Sequence, residues 1–249
     1  MLDFVLDFLF PPTCVICGKI AMDWICSNCE NRLKKYEKFQ LFKGKELNKF
    51  FYIEKNNDLI RIQNDNNLNY SDNIDNLFFD EFFYCFEYKK LIRKLLLNYK
   101  FKECSYLANF FANIMLNNKK INEIFENYDI IIPVPMDKNK KAIRGYNQTE
   151  LITNIIYKNV NFNINSKDKI KVKNCLLKVK QNKTQSTLNS KERLQNVKNV
   201  FKIKNIDLKN KNIIIFDDIC TTGATVNEIS RILKLAGVNK ILVLVIAKD

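Results

Sequence analysis

The chain has 249 residues, 47% of them hydrophobic, which suffices for one large domain or for one domain with a small appendage. Lys and Arg outnumber Asp and Glu by 41 to 27, and the net charge of +14 favours polyanionic partners or a phosphate-rich substrate, although A+T-rich codon usage would also enrich Lys. The absence of histidine from the sequence excludes Ser-His-Asp and Cys-His catalytic sites and any His-ligated metal.

The first ten residues are apolar, but they do not have the pattern of a secretion signal. They lack a basic start, contain Asp3 and Asp7, and run into two prolines. We expect a short amphipathic helix whose apolar face is Leu2, Val5, Leu6 and Leu9. No apolar run in the sequence approaches the roughly 20 residues of a membrane-spanning helix. The sequence therefore predicts a cytoplasmic protein without membrane insertion.

Two CxxC pairs come next, Cys14 with Cys17 and Cys26 with Cys29. Each pair directs two thiolates at one ion, and two pairs complete the tetrahedral shell of four thiolates around a structural Zn²⁺. Two disulfides are the alternative interpretation, which a reducing compartment disfavours. The remaining cysteines are scattered singly, and we expect them to be buried as small apolar side chains: Cys85, Cys104, Cys175 and Cys220.

Composition divides the chain into three regions. Residues 1–50 hold the N-terminal helix and the four-cysteine zinc ribbon, and residues 51–77 form an Asn-rich linker or insertion without an apolar period. Residues 78–249 form the main domain. It opens with a predicted strand over Phe82–Tyr88 and a basic helix over Lys89–Tyr99, and Ser105 is suited to cap the next helix, whose apolar face is Leu107, Phe110, Phe111, Ile114 and Met115.

Strands and helices then alternate to the end of the chain. We predict strands at Asp129–Pro135 and Cys175–Val179, a basic loop over Met136–Arg144, a helix from Gln148 through Ile156, a polar excursion over Gln181–Asn199, and further strands at Ile213–Phe216 and Ile241–Ile246 around a helix that ends at Gly237. This alternation predicts an α/β fold with a mostly parallel sheet and helices on both faces. Ligands of such sheets bind at the carboxyl ends of the strands.

The most informative segment begins at Ile213. Four apolar residues are followed by Asp217 and Asp218, by a Thr-Thr-Gly-Ala-Thr turn over Thr221–Thr225, and by residues at helical spacing. Backbone N–H groups, threonine hydroxyls and a helix N-terminus around one glycine suit a phosphate. The two carboxylates would repel that phosphate, but they suit the hydroxyl groups of a sugar, directly or through Mg²⁺. An ordinary acidic strand end is the alternative interpretation of the two carboxylates alone. A phosphate beside a diol is a ribose 5-phosphate.

This segment resembles the signature by which type I phosphoribosyltransferases hold 5-phosphoribosyl 1-pyrophosphate (PRPP), an apolar strand followed by Asp-Asp, two variable residues and Thr-Gly-x-Thr. Further blocks occur in order along the chain and extend the resemblance to the ComF family of competence-associated proteins. They are the four-cysteine knuckle, a Tyr-x-x-x-Ile-Arg-x-Leu segment leading to Lys-Phe (Tyr88–Phe101), Pro-Val-Pro followed by Arg-Gly-Tyr-Asn-Gln, and the set Gln185, Leu188, Arg193, Asn196 and Val197.

The resemblance implies a type I phosphoribosyltransferase-like fold with an N-terminal zinc ribbon. It implies that Asp217 and Asp218 bind the ribose hydroxyls, and that the loop after Val134 holds the pyrophosphate with Mg²⁺. Arg144 and Lys141 are the candidates to neutralise the pyrophosphate, and Lys138 and Lys140 would serve equally on charge. The residues implied to bind the 5′-phosphate are Thr221, Thr222, Gly223, Ala224 and Thr225.

Three functions share this PRPP site. The first is phosphoribosyl transfer, a displacement at C1 of the ribose, in a protein associated with natural transformation and DNA uptake. The second is a PRPP-sensing adaptor without turnover that contacts single-stranded DNA and a DNA-uptake helicase. The third is a phosphoribosyltransferase of nucleotide salvage, against which the absence of a recognisable base-binding motif counts.

Overall fold

The structure is a computed structural model that describes residues 13–49, 51–55, 58–61, 77–102, 104–163, 170–180, 197–204 and 206–249. Three sequence predictions fall wholly or largely outside the described residues. They are the N-terminal amphipathic helix, most of the Asn-rich linker, and most of the polar excursion over Gln181–Asn199.

The strands of the described part alternate with its helices, as the sequence predicts. In chain order the strands are β1 Glu37–Lys43, β2 Tyr52–Lys55, β3 Asp58–Arg61, β4 Glu81–Glu87, β5 Ile130–Pro133, β6 Lys171–Val172, β7 Leu176–Lys178, β8 Phe201–Ile203, β9 Asn212–Cys220 and β10 Lys240–Lys248. The α-helices are α1 Ser27–Leu33, α2 Lys90–Phe101, α3 Leu107–Leu116, α4 Lys119–Asn127, α5 Lys138–Arg144, α6 Gln148–Asn163 and α7 Ala224–Leu235, and 3-10 turns cover Lys34–Tyr36 and Gly44–Lys49.

A six-stranded sheet in the order β1-β4-β10-β9-β5-β6 forms the centre of the fold. The neighbours from β4 to β6 are all parallel, and β1 adds an antiparallel edge. β9 and β10 lie in the middle and are covered on both faces, which is why their sequences are nearly continuous apolar runs. The predicted α/β class and mostly parallel sheet are confirmed.

The two faces of the sheet bury separate cores. One core packs α2, α3, α4, α6 and the cysteine-rich N-terminal segment against side chains such as Phe83, Ile214 and Leu244. The other packs α7, the β7–β8 pair and the segment around Phe51 against side chains such as Phe82, Ile215 and Val243. Helices on both faces therefore hold the central strands, and the carboxyl ends of β5, β9 and β10 meet at one edge.

Several local expectations need correction. Ser105 does not cap α3: the N-cap is Tyr106, and no side-chain hydrogen bond caps that end. The predicted basic loop over 136–144 contains helix α5, because Asp137 caps it by accepting a hydrogen bond from the Asn139 N–H at 3.0 Å. The predicted strand at Cys175–Val179 exists as β7, but it pairs with β8 in a separate two-stranded sheet.

The start of the predicted linker also has regular structure. β2 and β3 pair in an antiparallel manner, so the predicted linker does not begin as a wholly irregular segment. The division into regions 1–50, 51–77 and 78–249 stays a prediction. Among the described helices, none combines the length and the apolar character needed to cross a bilayer.

Candidate phosphate site and metal centre

The four N-terminal cysteines come together in a compact cluster. The Sγ atoms of Cys14, Cys17, Cys26 and Cys29 all lie within 4.8 Å of one another. The Cys17 and Cys26 sulfurs are 3.8 Å apart. Two thiolates at about 2.3 Å from a tetrahedral Zn²⁺ are separated by about 3.8 Å, so the donor set and its spacing fit this ion. None of the eight cysteines forms a disulfide in the structure, in keeping with the zinc interpretation.

Local sequence explains how the cluster forms. The N–H of Gly18 donates to the Cys14 carbonyl at 2.7 Å, and this turn requires a φ of 73° that glycine adopts without strain. Cys26 precedes α1 and Cys29 lies in its first turn, so the second CxxC pair straddles a helix start. The four single cysteines are buried as expected.

The ribbon is docked on α2. The Lys94 ammonium donates to the Ile16 carbonyl at 2.5 Å, and the Asn98 amide donates to the Val15 carbonyl at 3.2 Å. Trp24 stacks on Tyr106 beside the start of α3, with ring centroids 4.1 Å apart. The ribbon therefore shares a core with the main domain.

The phosphate loop joins β9 to α7. β9 runs to Cys220, so both acidic residues lie inside the strand and not after it. A bent turn over Thr221–Gly223 follows, and α7 begins at Ala224. One pocket collects the side chains and backbone that the sequence assigned to the phosphate, and its lining is Asp217, Ile219, Cys220, Thr221, Thr222, Gly223, Ala224, Thr225 and Val226. The predicted loop residues and Asp217 are thus brought together at the N-terminus of a 12-residue helix.

Gly223 is fixed by two independent constraints. Its φ of 79° belongs to the left-handed region, which strains other residues. A Cβ at this position would also lie 2.7 Å from two ring atoms of Phe51. Phe51 is 1% exposed and packs edge-on against Phe79 and Phe82. The loop backbone at Gly223 therefore packs directly against the ring of Phe51, which is buried among other aromatic rings and has little room to move.

Asp217 and Asp218 have different surroundings, because consecutive residues of a strand point to opposite faces. Asp217 lines the pocket, and its Oδ1 accepts the Asp218 N–H at 2.8 Å. Asp218 is 8% exposed, and its Oδ1 lies 2.9 Å from the Lys100 ammonium of α2. Burial and the Asp218 charge raise the pKa of Asp217 to about 7, against the opposing effect of Lys100. At neutral pH Asp217 is therefore poised to gain or lose a proton.

The last residue of β10, Lys248, also contacts the loop. The Lys248 ammonium donates to the Thr221 carbonyl at 2.9 Å and lies 5.8 Å from the centroid of the Phe51 ring. Phe51, Lys100 and Lys248 were not predicted as site residues. A Lys or Phe distant in sequence carries no local signal, although the parallel pairing of Lys248 with Cys220 follows once the β9–β10 register is known.

The segment after β5 lies beside the acidic residues. The N–H of Val134 donates to the Phe216 carbonyl at 2.9 Å. Asn147 and Thr149 both donate to the Val134 carbonyl, at 3.2 and 2.8 Å, which holds the start of α6 against the end of β5. The Nε2 atom of Gln148 is buried without a hydrogen-bond partner among the described residues.

The two pyrophosphate candidates differ in placement. The exposed Lys141 ammonium lies 3.0 Å from Glu150, and neither Lys141 nor Arg144 is among the residues that line the pocket. Arg144 is half-buried and covers the ring of Phe101, with its guanidinium carbon 5.1 Å from the centroid. Burial lowers the pKa of Arg144, and the nearby Asp218 charge acts in the opposite direction. Of the two candidates, Arg144 is therefore the one whose charge interacts with the acidic residues.

Several known proteins are similar to this chain. Residues 5–39 match the family model described as a double zinc ribbon domain. The chain is 36% identical over 117 residues to competence protein F of Haemophilus influenzae, covering 45% of this chain and 47% of that protein. It is 28% identical over 153 residues to competence protein ComFC of Streptococcus pneumoniae, covering 61% of each. It is 28% identical over 105 residues to DNA utilization protein YhgH of Escherichia coli K12, covering 42% and 43%.

The chain thus matches about half the length of the curated relatives. Among solved structures, a hypoxanthine phosphoribosyltransferase of Staphylococcus aureus superposes with a TM-score of 0.34 and 12% identity, covering 57% of this chain and 65% of that one. At this level of similarity the superposition supports no statement about ligand or activity.

The central sheet, the acidic strand end and the loop at the helix N-terminus define an α/β protein with a mostly parallel sheet and a four-cysteine zinc ribbon at its N-terminus. The chain is a homologue of the ComF and ComFC competence proteins, as its sequence motifs predict.

Proposed function

We propose that this chain binds PRPP, with the 5′-phosphate in the loop Thr221–Thr225. The observation that carries the proposal is the pocket in which Asp217 faces this loop at the N-terminus of α7. Backbone N–H groups and the positive end of the helix dipole attract an anion there, and the hydroxyls of the three threonines add donors. The Lys248 ammonium beside Thr221 increases the positive potential.

The two carboxylates would hold the ribose, with Asp217 directly in the pocket and Asp218 behind it. Asp217 offers a carboxylate beside hydroxyl groups, and Mg²⁺ prefers carboxylates, waters and phosphate oxygens, so the donor set fits this ion. When bound, Mg²⁺ would neutralise negative charge on the pyrophosphate. The Lys100 ammonium lies 2.9 Å from Asp218, and Asp217 must lose its proton to contact the ion.

The pyrophosphate would lie at the segment after β5, between that segment and Arg144. The Val134 N–H fixes this segment next to Asp217, and the guanidinium of Arg144 supplies N–H donors in a planar fork that matches phosphate oxygens. Lys141 would need to leave Glu150 to contribute, so Arg144 is the stronger candidate.

The names of the relatives suggest where such a protein acts. They are competence proteins and DNA utilization proteins, so we propose a role associated with natural transformation and DNA uptake. Phosphoribosyl transfer to an acceptor base or amine is the reaction that the proposed ligand allows. The alternatives are a PRPP-sensing adaptor that contacts single-stranded DNA and a DNA-uptake helicase in the cytoplasm, and a nucleotide-salvage enzyme. The net charge of +14 supports the adaptor.

The test is a calorimetric titration of the full chain with PRPP and Mg²⁺, with pyrophosphate release followed in the same samples. Binding with release in the presence of one base indicates an enzyme and names its acceptor. Binding without release across bases and DNA indicates a sensor. Absence of binding by the wild type would refute the proposed PRPP site. For any variant that replaces one carboxylate of the site with an amide, the matched control is Asp207→Asn, because Asp207 is an exposed carboxylate outside the pocket.

A further inference from the structure

Phe101 is a large aromatic side chain that the fold leaves in water. It is the last residue of α2, and 71% of it is exposed. It belongs to neither of the two cores formed by the described residues. One face of its ring is covered by the guanidinium of Arg144, at 5.1 Å from the centroid. The rest of the side chain is largely open to solvent.

Scattered exposed hydrophobic residues are common on proteins, so exposure alone carries no inference. The cation–π contact distinguishes Phe101. In the part of the chain that the structure describes, the other two such contacts involve Tyr128 and Phe51, which are 6% and 1% exposed. Those two rings are buried, whereas the Phe101 ring makes its cation–π contact at the surface.

The position of this ring relates it to the pocket. Lys100, the preceding residue, reaches Asp218 at 2.9 Å. Arg144 is half-buried and interacts electrostatically with the same carboxylate. The Phe101–Arg144 pair therefore lies on the side of Asp218, the residue that follows the pocket-lining Asp217, although neither Phe101 nor Arg144 lines the pocket itself. Lys102, which follows, is exposed and adds positive charge.

We propose that the exposed face of Phe101 is a stacking surface for an unpaired nucleobase, with Arg144 supporting the opposite face of the ring. A guanidinium stacks through its face while its N–H donors remain in its plane, so Arg144 supports the ring and binds phosphate at the same time. Every base has a π-face, so the surface is tolerant of sequence. The base comes either from a free acceptor that meets PRPP or from single-stranded DNA; the first source rests on the proposed function, the second does not.

The test compares Phe101→Ala with Phe101→Trp, which retains an aromatic face. Leu235→Ala is the matched control, because Leu235 is 60% exposed at the opposite end of α7 from the loop. Fluorescence anisotropy measures binding of a labelled oligodeoxythymidylate and of an abasic oligomer of the same length. Calorimetry measures the binding of free adenine, hypoxanthine and uracil in the presence of PRPP and Mg²⁺, and pyrophosphate release measures their turnover. Thermal unfolding of each variant is expected to match the wild type, since Phe101 lies outside the cores.

Stacking of one base predicts that Phe101→Ala weakens binding about 10- to 100-fold, while Phe101→Trp and Leu235→Ala bind like the wild type. If the loss affects the oligodeoxythymidylate and not the abasic oligomer, single-stranded DNA is the source. If it affects a free base with PRPP, the acceptor is the source. Wild-type affinity of Phe101→Ala for every probe, or no binding of any probe by the wild type, would overturn the proposal. A wild type that binds oligodeoxythymidylate through Phe101 but not PRPP would refute the proposed function and leave the stacking surface intact.

Discussion

The metal centre and the phosphate pocket lie near opposite ends of the chain and are assembled in different ways. All four thiols of the metal centre come from the short segment Cys14–Cys29. The pocket also has a local part, the loop from Asp217 to Thr225, but the residues that contact Asp218 and Gly223 from outside it, Lys100 and Phe51, come from much earlier in the chain. A site whose ligands are close in sequence is visible in the spacing of residue types, whereas distant side chains that adjust charge and shape are visible in the fold alone.

Helix α2 connects the two regions. Lys94 and Asn98 bind the ribbon backbone, and Lys100 binds Asp218. Tyr99 between them is fully buried and donates from its hydroxyl to the Gln148 carbonyl at 2.9 Å. The ribbon therefore packs against a helix whose Lys100 contacts Asp218, so changes at the metal centre are expected to reach the acidic residues.

The largest expected effect comes from removing a metal ligand. Cys14→Ser should release zinc and destabilise the ribbon, because binding of structural zinc contributes directly to folding free energy, on the order of 5 kcal/mol or more. Metal analysis and thermal unfolding measure both consequences. Cys175→Ala removes a buried thiol of the other core and should retain the metal. A native protein without zinc would contradict the assignment.

The next largest effect is expected from Gly223→Ala. It combines a left-handed φ with a Cβ that would lie 2.7 Å from Phe51, and we expect a loss of about 3 kcal/mol in unfolding free energy. Gly145→Ala is the matched control, since Gly145 has a φ of 82° and open space around its Cβ position, and it should cost about 1–2 kcal/mol. Urea unfolding separates the two effects. Equal losses of unfolding free energy in the two variants would show that the Phe51 ring moves aside for the new methyl group.

Lys100→Met tests the remote partner of the pocket. We expect about 2 kcal/mol of destabilisation, less than for a fully buried pair, because the Lys100 and Asp218 side chains are 20% and 12% exposed. The pKa of Asp217 should rise further, because the Lys100 charge lowers it in the wild type. The exposed Lys102→Met is the control. An unchanged pH dependence of stability in Lys100→Met would refute the coupling.

The smallest effect concerns protonation of Asp217. Its pKa is raised in the folded protein from 3.8 to about 7, so the folded state binds a proton that the unfolded state releases over this interval. The unfolding free energy should therefore fall as pH rises from about 4 to about 7, and this loss persists above pH 7. Asp217→Asn should remove the loss and be more stable than the wild type by about 1–2 kcal/mol at pH 8. Denaturant unfolding at pH 5.5 and pH 8 measures the difference, and a less stable Asp217→Asn at pH 8 would contradict it.

Periodicity and composition predicted the central fold well. The continuous apolar runs at Ile130–Pro133 and in β9 and β10 are buried parallel strands, and the order of strands and helices follows from their alternation. Boundaries were less predictable. β9 extends through the acidic residues because Lys240–Lys248 pairs with it along its full length, and a tertiary partner of this kind leaves no mark in the local sequence.

The candidate site likewise has features that the sequence predicted and features that depend on the fold. Gly223, the threonines and Asp217 were predicted from one contiguous segment, and the structure brings them to one pocket. The different surroundings of Asp217 and Asp218 depend on which element covers each face of β9, so adjacency in sequence suggested one shared role. The helical form of the basic segment at Lys138–Arg144 depends on the Asp137 cap, which moves Lys141 toward Glu150.

The central claim is that Asp217 and the loop after it form a PRPP site. Its most direct test is the affinity for PRPP with Mg²⁺ of the wild type and of the double variant Asp217→Asn with Asp218→Asn, measured by calorimetry, with circular dichroism and unfolding to establish that the variant is folded. We predict that the wild type binds and that the folded double variant binds at least about 100-fold more weakly, because about 3 kcal/mol of ribose and metal contacts is lost. Equal affinity of the two proteins for PRPP would contradict the account.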